Sequence, residues 1–113
     1  MELYNLSNQT VIADNVGRAY SFIKRLKGLM FTKTLNSGTG LHIKPCLSVH
    51  TFFMKYPIDI LYLNQNNEIV ALDQAMSPGK VGKVYRDVQS VIELPAGTIE
   101  QMKIEINQII KLT

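Results

Sequence analysis

The chain of 113 residues has one cysteine and no tryptophan, and its short supplies already exclude much. A single cysteine cannot form an intrachain disulfide. No stretch approaches 18 consecutive apolar residues, so no membrane-spanning helix is expected. The opening MELYNLSNQT lacks the basic start and apolar run of a signal peptide, which points to a cytoplasmic protein. Neither GxGxxG nor GxxxxGK[ST] occurs, and the alternation of helices and strands that a doubly wound nucleotide fold requires is missing. Internal repeats, heptads and low-complexity linkers are also absent. The net charge of +3 is too small and too poor in clustered Lys and Arg to imply nucleic-acid binding. What remains is 46% apolar, enough for one domain over residues 1–113 that buries roughly two-thirds of its unfolded surface without a metal or disulfide staple.

The charge is unevenly placed. Residues 1–58 carry seven basic and two acidic side chains, and the remainder five basic and seven acidic. Four of the basic residues fall within Arg18 to Lys27, and from Val16 to Met30 the apolar Ala19, Phe22, Ile23, Leu26, Leu29 and Met30 recur at helical spacing. That pattern predicts an amphipathic helix between Val16 and Met30, with Asp14 or Asn15 as its N-cap and Gly28 as its stop. Phe31 to Gly40 reads as loop.

After Gly40, β-branched and aromatic residues dominate and turn signals recur. Strands are expected at Leu41–Lys44, Cys46–Met54, Ile58–Leu63, Glu68–Leu72, Val84–Leu94 and Ile104–Thr113, with a hairpin turn at Asn64–Asn67. Pro95-Ala96-Gly97 reads as a turn in which Gly97 takes positive φ. Together with short strands near Leu3–Leu6 and Val11–Ala13, this predicts a mainly β fold. The expected form is an antiparallel β-sandwich or partly closed barrel of about eight short strands with one N-terminal helix.

Cys46, His50 and Met54 lie four residues apart, a set that on a helix would suggest copper or zinc. On a strand, positions four apart are about 13 Å from one another, whereas ligands of one metal lie within roughly 4 Å, so no metal or other cofactor is expected. The same geometry puts Cys46, Ser48, His50, Phe52 and Met54 on one face, with His50 in largely buried surroundings that call for a partner. Asp59 and Glu93, each set in apolar sequence, are the candidate partners. Asp59 shares its face with Leu61 and Leu63, and Arg25 or His50 is its expected counterpart. A histidine beside two carboxyls could perform acid–base chemistry or serve a structural hydrogen-bond network. Cys46 stands too far along the strand from His50 to be its nucleophile and reads as a small buried hydrophobe.

Four blocks now stand in order over some 80 residues: Arg25-Leu26-Lys27-Gly28-Leu29-Met30; Gly40-Leu41; Val49-His50-Thr51-Phe52-Phe53-Met54 with Pro57-Ile58-Asp59-Ile60; and Ile92-Glu93-Leu94-Pro95-Ala96-Gly97. Their order and spacing resemble the family catalogued as domain of unknown function 192. The resemblance implies a sandwich or barrel-like fold with a single early helix, and no reaction. Position by position it singles out Arg25, Gly28, Leu29 and Met30, then His50, Met54, Pro57 and Asp59, then Glu93 and Gly97. The Gly-Asp turn with which the family usually ends is replaced by Asn107-Gln108, where Asn can hold a left-handed position. Many relatives look exported, whereas this chain begins almost at the domain.

Arg25, Gly28, Met30, His50, Met54, Asp59 and Glu93 are therefore expected to form a recessed site that binds a small polar or anionic ligand, or a peptide. The alternatives are an acid–base enzyme of hydrolase type, using Asp59 or Glu93 with His50, and an adaptor that docks a protein through a strand edge or the basic helix face.

Overall fold

Ile58-Asp59-Ile60-Leu61-Tyr62-Leu63 has apolar residues on both sides of a pleat, so a strand made from it must be covered on both faces. In the structure, a computed structural model that describes residues 1–30 and 32–113, all six are buried. The elements run β1 (Leu3–Asn5), β2 (Thr10–Ala13), β3 (Asn15–Ala19), α1 (Phe22–Lys27), β4 (Thr39–Ile43), β5 (Ile58–Leu63), β6 (Ile69–Met76), β7 (Ser90–Pro95), α2 (Thr98–Gln101) and β8 (Ile110–Leu112). Among the described residues the strands form two sheets, ordered β2-β1-β8 and β3-β4-β7-β5-β6. All pairs are antiparallel except β3 with β4.

Backbone hydrogen bonds tie the larger sheet to the smaller at both edges. Met1 and Val16 exchange bonds of 2.7 and 2.8 Å at β3, and Ile69 at the start of β6 bonds to Asn107 and Gln108 just before β8. Between the sheets lies one core, with Leu3 and Ile110 from the small sheet against Leu61, Ile92 and Leu94 from the large one. A second core covers the other face of β5 and β7, where Ile43, Ile60, Tyr62 and Val91 pack with Val49 and Met54.

Several expectations need correction. The predicted helix is two elements: Asn15–Ala19 is a strand paired with β4, and only Phe22–Lys27 is helical. Val16 and Ala19, three apart, fit a helical face, but they are also the two buried residues of β3. The cap is neither Asp14 nor Asn15 but Ser21, whose Oγ accepts from the Lys24 N–H at 3.2 Å. The helix does stop at Gly28, with φ 50° and ψ −128°, a conformation that favours glycine. It buries none of its residues; Phe22 and Ile23 are 69% and 72% exposed. The loop expected from Phe31 to Gly40 ends earlier, since Thr39 and Gly40 belong to β4, and Phe31 lies outside the described residues.

Cys46–Met54 is a loop rather than a strand. Its hydroxyls take over backbone partners: Thr51 Oγ1 donates to Ser77 O at 2.7 Å and accepts from Lys80 N at 2.8 Å, and Ser48 Oγ donates to Gly82 O at 3.0 Å. These bonds, with one bridge between His50 and Val81, bind the loop to residues 77–82. The last two expected strands shrink to β7 and β8, and α2 follows Gly97 at φ 94°. Asn107 has φ 77°, as a left-handed turn before β8 requires.

Candidate functional site

Register decides which carboxyl faces which core. Glu93 on β7 pairs with Ile60 on β5, while Asp59 pairs with Leu94. Side chains alternate along strands, so Glu93 enters the face that holds Ile60 and Val91, and Asp59 enters the opposite one.

Over Glu93 lies a recess of about 80 Å³. That is several times the roughly 10–15 Å³ one water needs, enough for a small group. Its walls come from α1 and the turn after it (Arg25, Gly28, Leu29, Met30) and from the stapled loop (Cys46, Ser48, Val49, His50, Met54), with Ile43 and Glu93 as the floor. Six of the seven site residues expected from the sequence thus line one cavity. Asp59 does not.

Glu93 is 5% exposed, and its Oε2 has no hydrogen-bond partner among the described residues. Burial pushes its carboxyl up to about 7, because the low-dielectric surroundings penalise the anion. Gly28 lies beside it: a Cβ there would stand 3.7 Å from Glu93 Oε1, an ordinary contact distance. Arg25 is half-buried and makes no ion pair among the described residues. The half-buried Cys46 Sγ donates to Ser48 O at 2.9 Å. Burial raises its pKa; the Ser48 bond opposes that, Glu93 adds to it and Arg25 opposes it. His50 departs from expectation, for it is exposed at the mouth and stacks on Phe52 with ring centroids 5.2 Å apart.

Asp59, 1% exposed, has neither Arg25 nor His50 as its partner. Its Oδ1 accepts from the Ala75 N–H and its Oδ2 from the Ile99 N–H, each at 2.8 Å. Ala75 sits at φ 49° where the β5–β6 register shifts, and Ile99 is the second residue of α2, whose Gly97 cap offers no side chain. One carboxylate holds a bulge and caps a helix.

Sequence reasoning passed over His42, 4% exposed on β4 beside Ile92. Tyr20 Oη lies 2.7 Å from its Nδ1, and its Nε2 has no partner among the described residues. Burial, aided by Lys44, lowers its pKa to about 4. Alternation in Leu41-His42-Ile43 was the available signal, since it turns the imidazole toward the other face. Among the described residues no three His, Cys, Asp or Glu stand as metal ligands, and no helix is long and apolar enough to cross a membrane.

A mainly β chain of two sheets, with a short helix and a stapled loop enclosing a buried glutamate, is the class defined by this geometry. The chain belongs to the DUF192 family, described as uncharacterized ACR, whose model matches residues 5–112. A UPF0127 protein of Pyrococcus furiosus is 34% identical over 107 residues, covering 92% of this chain and 91% of the relative. Another from Thermococcus sibiricus is 32% identical over 112 residues, covering 92% and 70%. The fold matches the crystal structure of a protein of unknown function from Novosphingobium aromaticivorans with a TM-score of 0.85 at 16% identity, over 98% of this chain and 82% of that one.

Proposed function

We propose that the recess is a binding site for a small polar molecule and that the Glu93 carboxyl is its recognition group. The observation that carries this is the buried Oε2 with no partner among the described residues. Leaving such an atom unsatisfied costs about 1–3 kcal/mol, a penalty that a ligand N–H or O–H relieves. The end of the ligand that meets Glu93 is accordingly a donor, while an anionic end suits Arg25. Mostly apolar walls with a few convergent polar groups are the usual composition of a ligand site.

One observation favours a second reading, an acid–base enzyme acting through Glu93. A carboxyl that burial pushes up to about 7 is poised to give and take a proton near neutral pH. In that reading His50 at the mouth is the partner and Asp59 has no part.

A thermal-shift screen of amines, amides, polyols, carboxylates and phosphate, run on the wild type and on Glu93→Gln, tests the first reading. Donor-bearing probes are expected to raise Tm in the wild type, by about 1.4 kcal/mol of stability at ten times Kd, and to do so less in the variant. Equal responses in both proteins, or none from any class, would sink it.

A further inference from the structure

We infer that the recess takes a small zwitterion such as a free α-amino acid, its ammonium group on Glu93 and its carboxylate on Arg25. This rests on the binding role proposed above and names the ligand class. Charges of both signs meet at one cavity: Glu93 on the floor, with Arg25 and the exposed Lys27 on the wall. Arg25 and Glu93 both line the recess, and both act electrostatically on the Cys46 thiol between the same walls. Yet neither forms an ion pair among the described residues, and Glu93 Oε2 is left without a partner.

A singly charged ligand satisfies one of the two and leaves the other as it was. An amine alone would neutralise the carboxylate and face the guanidinium as a like charge. A carboxylate alone would bond Arg25 and repel Glu93. A molecule that carries both charged groups on one carbon meets each with its opposite, inside a cavity where the interaction is stronger than in water. Size agrees, since about 80 Å³ admits a handful of heavy atoms and not a nucleotide-sized ligand. Leu29, Met30, Val49 and Met54 supply an apolar wall for a short side chain, and methionines adapt to varied shapes.

The test is an NMR titration of the full chain with five probes: glycine, alanine and leucine, and the singly charged ethylamine and propionate. The amide resonances of Gly28 and Glu93 report on the recess. Alanine or leucine is expected to saturate both signals at concentrations about tenfold below those needed by either singly charged probe, and Glu93→Gln and Arg25→Gln are each expected to weaken the zwitterion about tenfold, one charge-assisted contact apiece. Arg25→Lys, which keeps the charge, should recover part of that loss, and unchanged spectra elsewhere establish that each variant is folded. Ethylamine binding as tightly as alanine, indifferent to Arg25, would overturn the zwitterion while leaving the donor-binding role intact. If no probe moves either resonance, both ideas fall together.

Discussion

Asp59 and Glu93 stand one register step apart on neighbouring strands, are almost equally buried at 1% and 5% exposure, and lead opposite lives. Both oxygens of Asp59 are occupied by backbone N–H groups, Ala75 and Ile99, at 2.8 Å. Glu93, turned to the other face, keeps one buried oxygen unpartnered among the described residues. Burial alone therefore does not mark a site in this sheet. The partner does: a satisfied carboxylate is a structural joint, and an unsatisfied one over a cavity is a group held ready for something else.

The sharpest way to break the comparison is to delete the satisfied partner. Asp59→Ala strands the buried Ile99 N–H at the start of α2, at about 1–3 kcal/mol, frees the part-buried Ala75 N–H at the bulge, and leaves a hole where the carboxylate was. The expected loss is about 3–5 kcal/mol, read as a lowered urea midpoint, with little change in ligand affinity because Asp59 does not line the recess. A loss under about 1 kcal/mol would mean that the bulge and helix hold without it.

The motif Pro57-Ile58-Asp59 shows what sequence can and cannot supply. Alternation correctly placed Asp59 with Leu61 and Leu63 and made Ile58–Leu63 a strand, and the Asn64–Asn67 turn and Gly97 needed only local chemistry. Which partner a buried carboxylate finds is a tertiary matter, here decided by backbone groups 16 and 40 residues away. Cys46–Met54 failed for a related reason. Its composition favours a strand, but Ser48 and Thr51 bind the backbone of a distant loop, and propensity counts no such competitor. The residues of the recess were nonetheless legible, because the blocks that carried the family resemblance are the segments that fold over Glu93.

A pH series sharpens the comparison next. Glu93 titrates near 7 in the folded chain against an ordinary 4.5, so the folded state holds an extra proton between those values and stability falls as pH rises through 7, by about 3 kcal/mol in all. His42 acts in the opposite sense. It titrates at about 4 when folded against 6.5 ordinarily, so its contribution is present above 6.5 and is lost as pH falls toward 4. The two slopes oppose between about pH 4.5 and 6.5, and wild-type stability should be nearly flat there. Glu93→Gln removes one slope and is expected to become more stable than wild type by about 3 kcal/mol at about pH 8, with near equality at about pH 4, by urea unfolding. Equal stability at the higher pH would mean that the carboxylate is not left unsatisfied in solution.

The smallest effect is expected where the recess is least anchored. Its floor is a strand locked between two neighbours, whereas α1, part of its wall, contributes no buried residue. Six helical residues cannot hold themselves in water, since a helix shorter than about 12 is marginal on its own. What fixes α1 is its ends: the Ser21 cap at one and, at the other, Gly28 N–H donating to Lys24 O at 2.8 Å while the basic Lys24, Arg25 and Lys27 suit the helix dipole. Ile23→Ser, at 72% exposure, should then change stability by no more than about 0.5 kcal/mol. The recess response to alanine should survive it, because Ile23 is not among the lining residues. A loss above about 1 kcal/mol would show that α1 is held by apolar packing after all, and would make the wall as rigid as the floor.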